Sequence, residues 1–382
     1  MLGRLPTRVV AFLLTLPLPG CTFYTGPPNG GQGTIVPATG GANGTTDPNA
    51  RELDGGAEPE GKWVNVTANL AGLRSACGNL SLVAAHPTED MIVAAVANRG
   101  LWATRDGGQS WKALGLGALS SKVDNHCMSI VFDPEDPNLF WESGINGQVN
   151  VLKTIDAGKH FFDFDILNYV ESLSVDFTDP DRQTLLLGGH DTKQEIKRST
   201  DGGKTWTEIG MNFPDSADVS TFPLIVDSNV FLMGSPIHSD GDSGIYRSDD
   251  AGDSWTLVNE VGGQAPPLLT SDKLIYWAAP NGRGLVMSAD RGETFNVVVG
   301  PNLLQSFSPV ELPRGRVAAV SAHHIVVSED KGAHFRFATS ALPFQINGFT
   351  YSPAQKAFFV WHSTCADDND VPRNAIARYD FE

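Results

Sequence analysis

A single short phrase recurs six times between Thr104 and Phe335 and constrains the fold more than any other feature of the chain. It consists of Ser or Thr, any residue, Asp, any residue, Gly, any residue, Ser or Thr, and then Trp or Phe. An Asp in a short polar turn can satisfy backbone N–H groups, and a Gly allows a positive φ. In two copies His160 and His334 replace the second hydroxyl residue, so we interpret these copies as degraded.

The Asp, Gly and aromatic residues of the phrase are interpreted as structural. The aromatic residue is expected to anchor each turn in the core. Six equivalent copies are better explained by six equivalent turns than by six metal or catalytic sites. The Asp, Gly and aromatic residues are Asp106, Gly108 and Trp111; Asp156, Gly158 and Phe161; Asp201, Gly203 and Trp206; Asp250, Gly252 and Trp255; Asp290, Gly292 and Phe295; and Asp330, Gly332 and Phe335.

The spacing of the phrase predicts an all-β repeat fold. Successive Asp residues lie 50, 45, 49, 40 and 40 residues apart, which is typical of a four-stranded propeller blade. One period contains four strand-like runs bounded by turn residues, at 80–85, 91–97, 100–104 and 110–114. The same order of runs returns in the next two periods, and no stretch has a convincing helical period.

The two ends of the repeat region predict how the ring closes. After the sixth phrase the chain supplies three strand-like runs, at 348–351, 357–362 and 375–380, and the segment 63–70 ahead of the first blade is a natural fourth strand. We therefore predict a seven-bladed β-propeller whose ring is closed by an N-terminal strand, which hides a sheet edge. A six-bladed ring would leave 348–380 without a place.

The segment before the repeats predicts export. Arg4 and Arg8 precede a short apolar run, and Leu18-Pro19-Gly20-Cys21 resembles a bacterial lipoprotein signal, which implies cleavage before Cys21 and lipid on its thiol. The alternative is an ordinary signal peptide with a coincidental Cys. The run is too short to span a membrane.

We predict three regions from these observations: a signal peptide at 1–20, a lipidated Cys and disordered tether at 21–61, and the propeller at 62–382. The tether is rich in Gly, Pro, Thr and Asn and holds few large apolar residues, so it cannot bury a core. The predicted location is the bacterial cell envelope, on the periplasmic side or at the cell surface.

Three further cysteines are predicted to lie on one face of the propeller. An exported protein can keep disulfides. Cys77 precedes the first blade and Cys365 lies in a loop of the seventh, so these two are the preferred pair, with Cys77 and Cys127 as the alternative. Three free thiols also stay open.

The same face is predicted to carry any ligand site. The loops that lead into each first strand, and those that join second and third strands, hold histidines and carboxylates that can bind a metal ion or a cationic ligand. The alternative is that they are solvated loop residues. The predicted face comprises His126, Glu171, His190, Asp191, His238, Asp240, Asp242, Asp367 and Asp368, with Asp124, Asp215, Asp218 and Asp370 nearby in sequence.

The charge excludes one class of partner. With 27 basic and 44 acidic residues the formal net charge is −17, and no cluster of Lys and Arg is present, so nucleic acid is not expected to bind. No cofactor is predicted.

Residues 63–382 resemble the BNR/Asp-box propeller superfamily, which includes sialidases, xyloglucan-cleaving endoglucanases, sortilin-type receptors and photosystem II assembly factors. The phrase from Ser129 to Pro134 resembles the seven-bladed glucanase and assembly-factor branches. The resemblance implies the fold more strongly than a function.

The catalytic groups of these families are not evident. The sialidase phrase that carries the first arginine is absent, and Tyr169 beside Glu171 is the nearest approach to a nucleophile pair. Glucanases of this type use two carboxylates that flank a cleft, usually between two propellers. The assembly-factor branch implies a basic patch, which this acidic chain does not show.

We therefore interpret the chain as a non-catalytic binding or scaffold module, monomeric, that takes a protein or glycan ligand on one face. A glycoside hydrolase of sialidase or endoglucanase type is the alternative, and a surface adhesion or receptor-like protein is a third class.

Overall fold

The computed structural model describes residues 58–382 apart from 149, 165–169, 238–240, 280–283, 300–306, 322 and 366–368. Within this part of the chain the strands form seven four-stranded antiparallel sheets. The prediction of an all-β, seven-bladed propeller is confirmed. The predicted lipidation site Cys21 and the predicted signal and tether, up to residue 57, lie outside the described residues.

The strands follow the chain blade by blade after a first short strand. That strand is β1 (Val64–Asn65), followed by a 3₁₀ turn at Ala68–Leu70. Blade 1 contains β2 (Leu80–Ala85), β3 (Ile92–Val96), β4 (Gly100–Thr104) and β5 (Lys112–Ala113). Blade 2 contains β6 (His126–Phe132), β7 (Phe140–Ile145), β8 (Val151–Thr154) and β9 (Phe162–Asp163). Blade 3 contains β10 (Val170–Val175), β11 (Leu185–Gly189), β12 (Ile196–Ser199) and β13 (Thr207–Glu208).

The remaining four blades repeat this order after a 3₁₀ turn at Gly210–Asn212. Blade 4 contains β14 (Phe222–Ile225), β15 (Phe231–Ser235), β16 (Gly244–Ser248) and β17 (Thr256–Asn259). Blade 5 contains β18 (Leu268–Leu269), β19 (Ile275–Ala278), β20 (Leu285–Ser288) and β21 (Asn296–Val299). Blade 6 contains β22 (Val310–Leu312), β23 (Arg316–Ser321), β24 (His324–Ser328) and β25 (Arg336–Phe337). Blade 7 contains β26 (Gly348–Ser352), β27 (Ala357–Trp361) and β28 (Ile376–Asp380), and β1 completes it.

The core lies between neighbouring blades rather than inside any one of them. The second strands are buried on both faces, as β3 and β27 show, so each sheet packs against the sheet before and the sheet after it. Apolar clusters accordingly combine residues of adjacent blades; Phe140 and Phe161 of blade 2, for example, pack with Val93 of blade 1. Burial of apolar surface on both faces is what a ring of sheets requires.

The predicted closure by an N-terminal strand is confirmed. In β1, Val64 pairs with Arg378 and Asn65 with Ala377 of β28. The backbone N–H of Val66 then donates to the carbonyl of Ile376 at 2.9 Å. This pairing covers the edge that blade 7 would otherwise expose.

A second connection joins blades 7 and 1 at the face where their loops meet. A disulfide links Cys77 to Cys365, with the Cα atoms 4.4 Å apart. The side-chain amide of Asn79 donates to the Thr364 hydroxyl at 3.1 Å and to the Asp370 carbonyl at 2.8 Å. Cys127, the alternative partner of Cys77, lies inside β6. It is buried as a free thiol in the contact between blades 1 and 2.

The repeated phrase forms the same hydrogen-bonded turn in every copy. In the third, the Ser199 hydroxyl donates to Asp201 Oδ1 at 2.9 Å and accepts from the Gly203 N–H at 2.9 Å. The Thr205 N–H and hydroxyl donate to the two oxygens of Asp201. The first-position hydroxyl, the Asp and the seventh residue therefore form one closed network, and Gly203 has φ +92°.

The expectation that the two histidine copies are degraded is wrong. His160 Nδ1 lies 2.6 Å from Asp156 Oδ2, and His334 Nδ1 lies 2.5 Å from Asp330 Oδ2. The imidazole Nδ1 lies one bond farther from the backbone than a Ser or Thr hydroxyl oxygen, but it reaches the same carboxylate oxygen, so the bond to the Asp is kept. The backbone N–H groups of both histidines also donate to the Asp.

Among the described residues, no helix is both long enough and apolar enough to cross a membrane.

Candidate functional site

Two kinds of loop meet on one face of each blade: the loop that leads into the first strand, and the loop that joins the second and third strands. We call this the upper face. Histidines and carboxylates of blades 2 and 3 come together there. His238, Asp240, Asp367 and Asp368 were also predicted on this face, but they lie outside the described residues.

A cluster of three side chains on blade 3 is the most concentrated polar group of the upper face. Glu171, His190 and Asp191 each offer one nitrogen or oxygen atom, and these atoms lie within 4.8 Å of one another. His190 Nδ1 is hydrogen-bonded to Glu171 Oε2. His190 Nε2 lies 3.6 Å from Asp191 Oδ2. Both ring nitrogens therefore face a carboxylate. We call these three residues the His190 cluster.

Local backbone irregularities place these side chains. The pairing of β10 with β11 shifts register between Val170 and Ser172, so Glu171 is the extra residue of a β-bulge. A bulge re-aims a side chain that a regular strand would hold in the pleat. Asp191 follows β11 with a φ of +49°, a left-handed conformation that Asp adopts more readily than most residues. His190 and Asp191 thus turn back towards Glu171.

The two carboxylates favour a charged imidazole. Burial alone would lower the pKa of His190, but the hydrogen bond that its ring N–H donates to Glu171 and the negative charges of Glu171 and Asp191 raise it above its ordinary value. A protonated His190 that bridges two carboxylates leaves the cluster with one net negative charge.

His126 stands beside this cluster in the opposite protonation state. It begins β6 on blade 2, and its side chain is buried. Desolvation, and to a smaller extent the charge of nearby His190, lower the pKa of His126 to about 4. His126 is therefore neutral near neutral pH and keeps a nitrogen lone pair.

A buried carboxyl one blade earlier was missed by the sequence analysis. Glu142 lies in the middle of β7 with no exposed surface, beside Asn125 and Cys127. Desolvation raises the pKa of Glu142 to about 8, and the charge of Asp124 raises it too. The sequence did carry a signal for this burial: Glu142 stands in the second strand of a blade, next to Phe140 and Trp141. Propeller packing buries second strands on both faces.

The carboxylates of blade 4 form a separate group. The N–H of Asp218 donates to the carbonyl of Asp242 at 2.9 Å, and the N–H of Asp242 donates to Ser216 at 2.7 Å. Desolvation and then the charges of Asp242 and Asp218 raise the pKa of Tyr246 to about 12. The blade 3 loop reaches this group's neighbourhood, because the Ser220 N–H donates to the Thr192 carbonyl at 3.2 Å.

Three tryptophans at matching positions are core residues. Trp141, Trp277 and Trp361 lie in inter-blade clusters, and the first two have no exposed surface. Buried rings cannot offer a stacking platform to a sugar.

The comparisons with known proteins agree on the repeat and the fold. The BNR/Asp-box repeat family matches residues 197–208. The chain is 24% identical over 258 residues to a xyloglucanase of a Paenibacillus species, a match that spans 63% of this chain and 23% of the xyloglucanase. The chain thus spans less than a quarter of that relative's length.

Two solved structures show a similar propeller. A GH74 xyloglucanase from Xanthomonas campestris has a TM-score of 0.55 at 18% identity, covering 83% of this chain and 55% of that one. YCF48 bound to D1 peptide has a TM-score of 0.55 at 16% identity, covering 86% of this chain and 99% of that one. At these identities the likeness shows the shared fold and nothing finer.

Proposed function

We propose that this chain is an exported, lipid-anchored propeller that binds a protein segment on its upper face and has no chemistry of its own. The observation that carries the proposal is the likeness to YCF48, whose structure is described as bound to D1 peptide. That likeness covers 86% of this chain with a TM-score of 0.55.

The charge of the upper face supports a cationic ligand. The His190 cluster keeps a net negative charge even when His190 is protonated, and Asp218 and Asp242 lie on the next blade. The chain as a whole carries a formal net charge of −17. A negative field of this kind speeds the association of positively charged partners and weakens with salt. Segments rich in Lys and Arg are therefore the expected ligands.

The same cluster argues against glycoside hydrolysis at this place. Two-carboxylate hydrolysis needs the two carboxyl groups to flank the scissile bond. Glu171 and Asp191 instead flank the imidazole of His190, which occupies the space between them. The 24% identity with a xyloglucanase keeps the hydrolase as the alternative function.

The proposed location depends on the segment before the propeller. The lipoprotein-like phrase that ends at Cys21 supports an anchor, and a flexible coil of the 40 residues from Thr22 to Gly61 would reach on the order of 35 Å from a membrane. A surface adhesion or receptor-like role differs from this proposal mainly in the side of the membrane that the propeller faces.

Peptide binding by the purified full chain tests the proposal. Fluorescently labelled peptides of equal length, rich in either Lys and Arg or Asp and Glu, are titrated at low and high salt. We expect basic peptides to bind at least ~10-fold more tightly, about 1.4 kcal/mol, and to lose affinity with salt. Asp191→Asn should weaken the binding, whereas Glu293→Gln, a loss of the same charge at an exposed residue in the blade 5 turn on the opposite face, should not.

Hydrolysis assays on the same preparation test the alternative. Xyloglucan, a panel of β-glucans and a sialoside are incubated with the full chain, and released sugar is measured. We expect no turnover. Turnover that disappears in Glu171→Gln would assign the protein to the enzymes, and equal binding of basic and acidic peptides would contradict the proposed ligand.

A further inference from the structure

The His190 cluster has the composition of a transition-metal site as well as that of an ion pair. Its three ligand atoms, one imidazole nitrogen and two carboxylate oxygens, lie within 4.8 Å of one another. Ligands of a tetrahedral zinc ion, bound at about 2.0–2.2 Å, are about 3.3–3.5 Å apart. His190 Nε2 and Asp191 Oδ2, at 3.6 Å, already have nearly this separation.

The remaining adjustment needs only side-chain rotation. Glu171, His190 and Asp191 all keep some exposure, with side-chain exposures of 17%, 26% and 33%. The bulge at Glu171 and the left-handed backbone of Asp191 fix the positions of the Cβ atoms. Rotation about the side-chain bonds can still bring the carboxylates to an ion. An ion can therefore enter from solvent.

Two features next to the cluster suit a bound ion. The buried imidazole of His126, on the neighbouring blade, lies close enough to His190 to interact with it and adds a further ring nitrogen beside the cluster. Thr192 Oγ1 is buried with no hydrogen-bond partner, and a Cβ added to Gly189 would lie 2.2 Å from it. This oxygen stands next to Asp191 in the chain and can accept a hydrogen bond from a metal-bound water.

We propose that Glu171, His190 and Asp191 hold a divalent first-row transition metal ion of the zinc type. A mixed set of imidazole and carboxylate ligands suits Zn²⁺, whereas Ca²⁺ takes oxygen ligands alone and in larger number. Three protein ligands leave one position of a tetrahedral ion for water or for a donor group of a ligand.

The metal bonds to a ring nitrogen of His190 that faces one of the carboxylates. When His190 is protonated, the proton on that nitrogen is released to solvent, and the freed lone pair forms the bond to the metal.

Calorimetric titration of the full chain with Zn²⁺ alone, after treatment with a chelator, tests the site. We expect one equivalent of Zn²⁺ to bind, Ca²⁺ not to compete, and acid to weaken binding because protons compete for the ligand atoms. His190→Ala and Glu171→Gln should each weaken binding at least ~10-fold. Substitution with Co²⁺ gives a visible spectrum that reports the coordination independently of the heat of binding.

The chain contains a matched control. His334 also contacts an Asp, Asp330, but no second carboxylate is grouped with this pair among the described residues. His334→Ala should leave the stoichiometry of Zn²⁺ unchanged. No saturable Zn²⁺ binding to the folded wild type, equal competition by Ca²⁺, or unchanged binding in both His190→Ala and Glu171→Gln would overturn the proposal.

The metal site itself does not depend on the proposed binding function. Only the idea that a bound ligand occupies the fourth metal position rests on that function. Zn²⁺ is titrated without peptide, and peptide binding is measured on chelator-treated protein. A chain that binds Zn²⁺ and no peptide would refute the proposed function alone, and a chain that binds peptide and no Zn²⁺ would refute the metal site alone.

Discussion

At the scale of single residues, the pKa of Glu142 lies far above that of a glutamate in water. The residue has no exposed surface, and desolvation raises its pKa to about 8 from an ordinary value of 4.5. The folded state therefore binds this proton in a pH range where the unfolded state has lost it. The stability that this group contributes is complete below about pH 4.5 and is lost as the pH rises towards 8.

Replacement of Glu142 by Gln should remove this pH dependence. The wild type is expected to lose up to ~1.4 kcal/mol per pH unit through this group between about pH 5 and 8. Glu142→Gln keeps the shape without the charge, so its stability should change less with pH and exceed that of the wild type near pH 8. Thermal unfolding midpoints across this range measure the effect, with Glu260→Gln as the exposed control. Parallel curves for wild type and Glu142→Gln would contradict it.

Residue roles could be predicted where local chemistry decides them. The Asp and Gly of each repeated turn act within four residues, as Asp201 and Gly203 show, so the sequence alone indicated their part. His160 was misjudged because the pattern compares residue types, whereas the turn requires only a donor within reach of Asp156. Glu142 was missed because its burial depends on a neighbouring blade.

At the scale of elements, loops could be assigned to a face but not to a site. Glu171, His190 and Asp191 were predicted on the same face together with six other residues. Their convergence depends on a bulge in β10 and a left-handed residue after β11, and neither has a clear sequence signal. The prediction therefore gave the blade and the face, and the structure adds which side chains touch.

The contact between the loops of blades 7 and 1 leads to a prediction about the cysteines. Digestion without reduction should recover Cys77 joined to Cys365, which are 288 residues apart. In the chain-entropy model a loop of that length contributes up to about 5.7 kcal/mol, so Cys365→Ser should lower the unfolding midpoint. Cys127→Ala serves as the control for loss of a thiol. Alkylation of all three thiols without reduction would remove the disulfide hypothesis.

At the scale of the whole molecule, the seven-bladed ring was the most predictable property. Each copy of the repeated phrase indicates one blade independently of the other copies. A misread copy therefore does not change the interpretation of the others. Ring closure could be predicted because the last blade lacked one strand and 63–70 supplied one, and β1 pairs with β28 as expected.

Anchoring is a prediction about the molecule as a whole. If Cys21 carries lipid, the wild-type chain expressed in a bacterium should fractionate with membranes, and Cys21→Ser should release it to the soluble fraction. Immunoblots of the two fractions measure the change. Cys127→Ser is a matched control, because it replaces a buried thiol of the propeller and should leave partitioning unchanged. Equal partitioning of wild type and Cys21→Ser would refute the lipid anchor.

Closure by β1 also sets the order in which the fold can be completed. Val64 is among the first residues of the propeller to leave a ribosome, and its partner Arg378 is among the last. Each of blades 1 to 6 can form its own sheet as its residues appear, but β1 stays unpaired until β28 has been synthesised, because it pairs with β28 alone. Bringing together strands that far apart is slow. A chain truncated before residue 376 therefore leaves two unpaired edges, and the ring closes only after its last strand has been made.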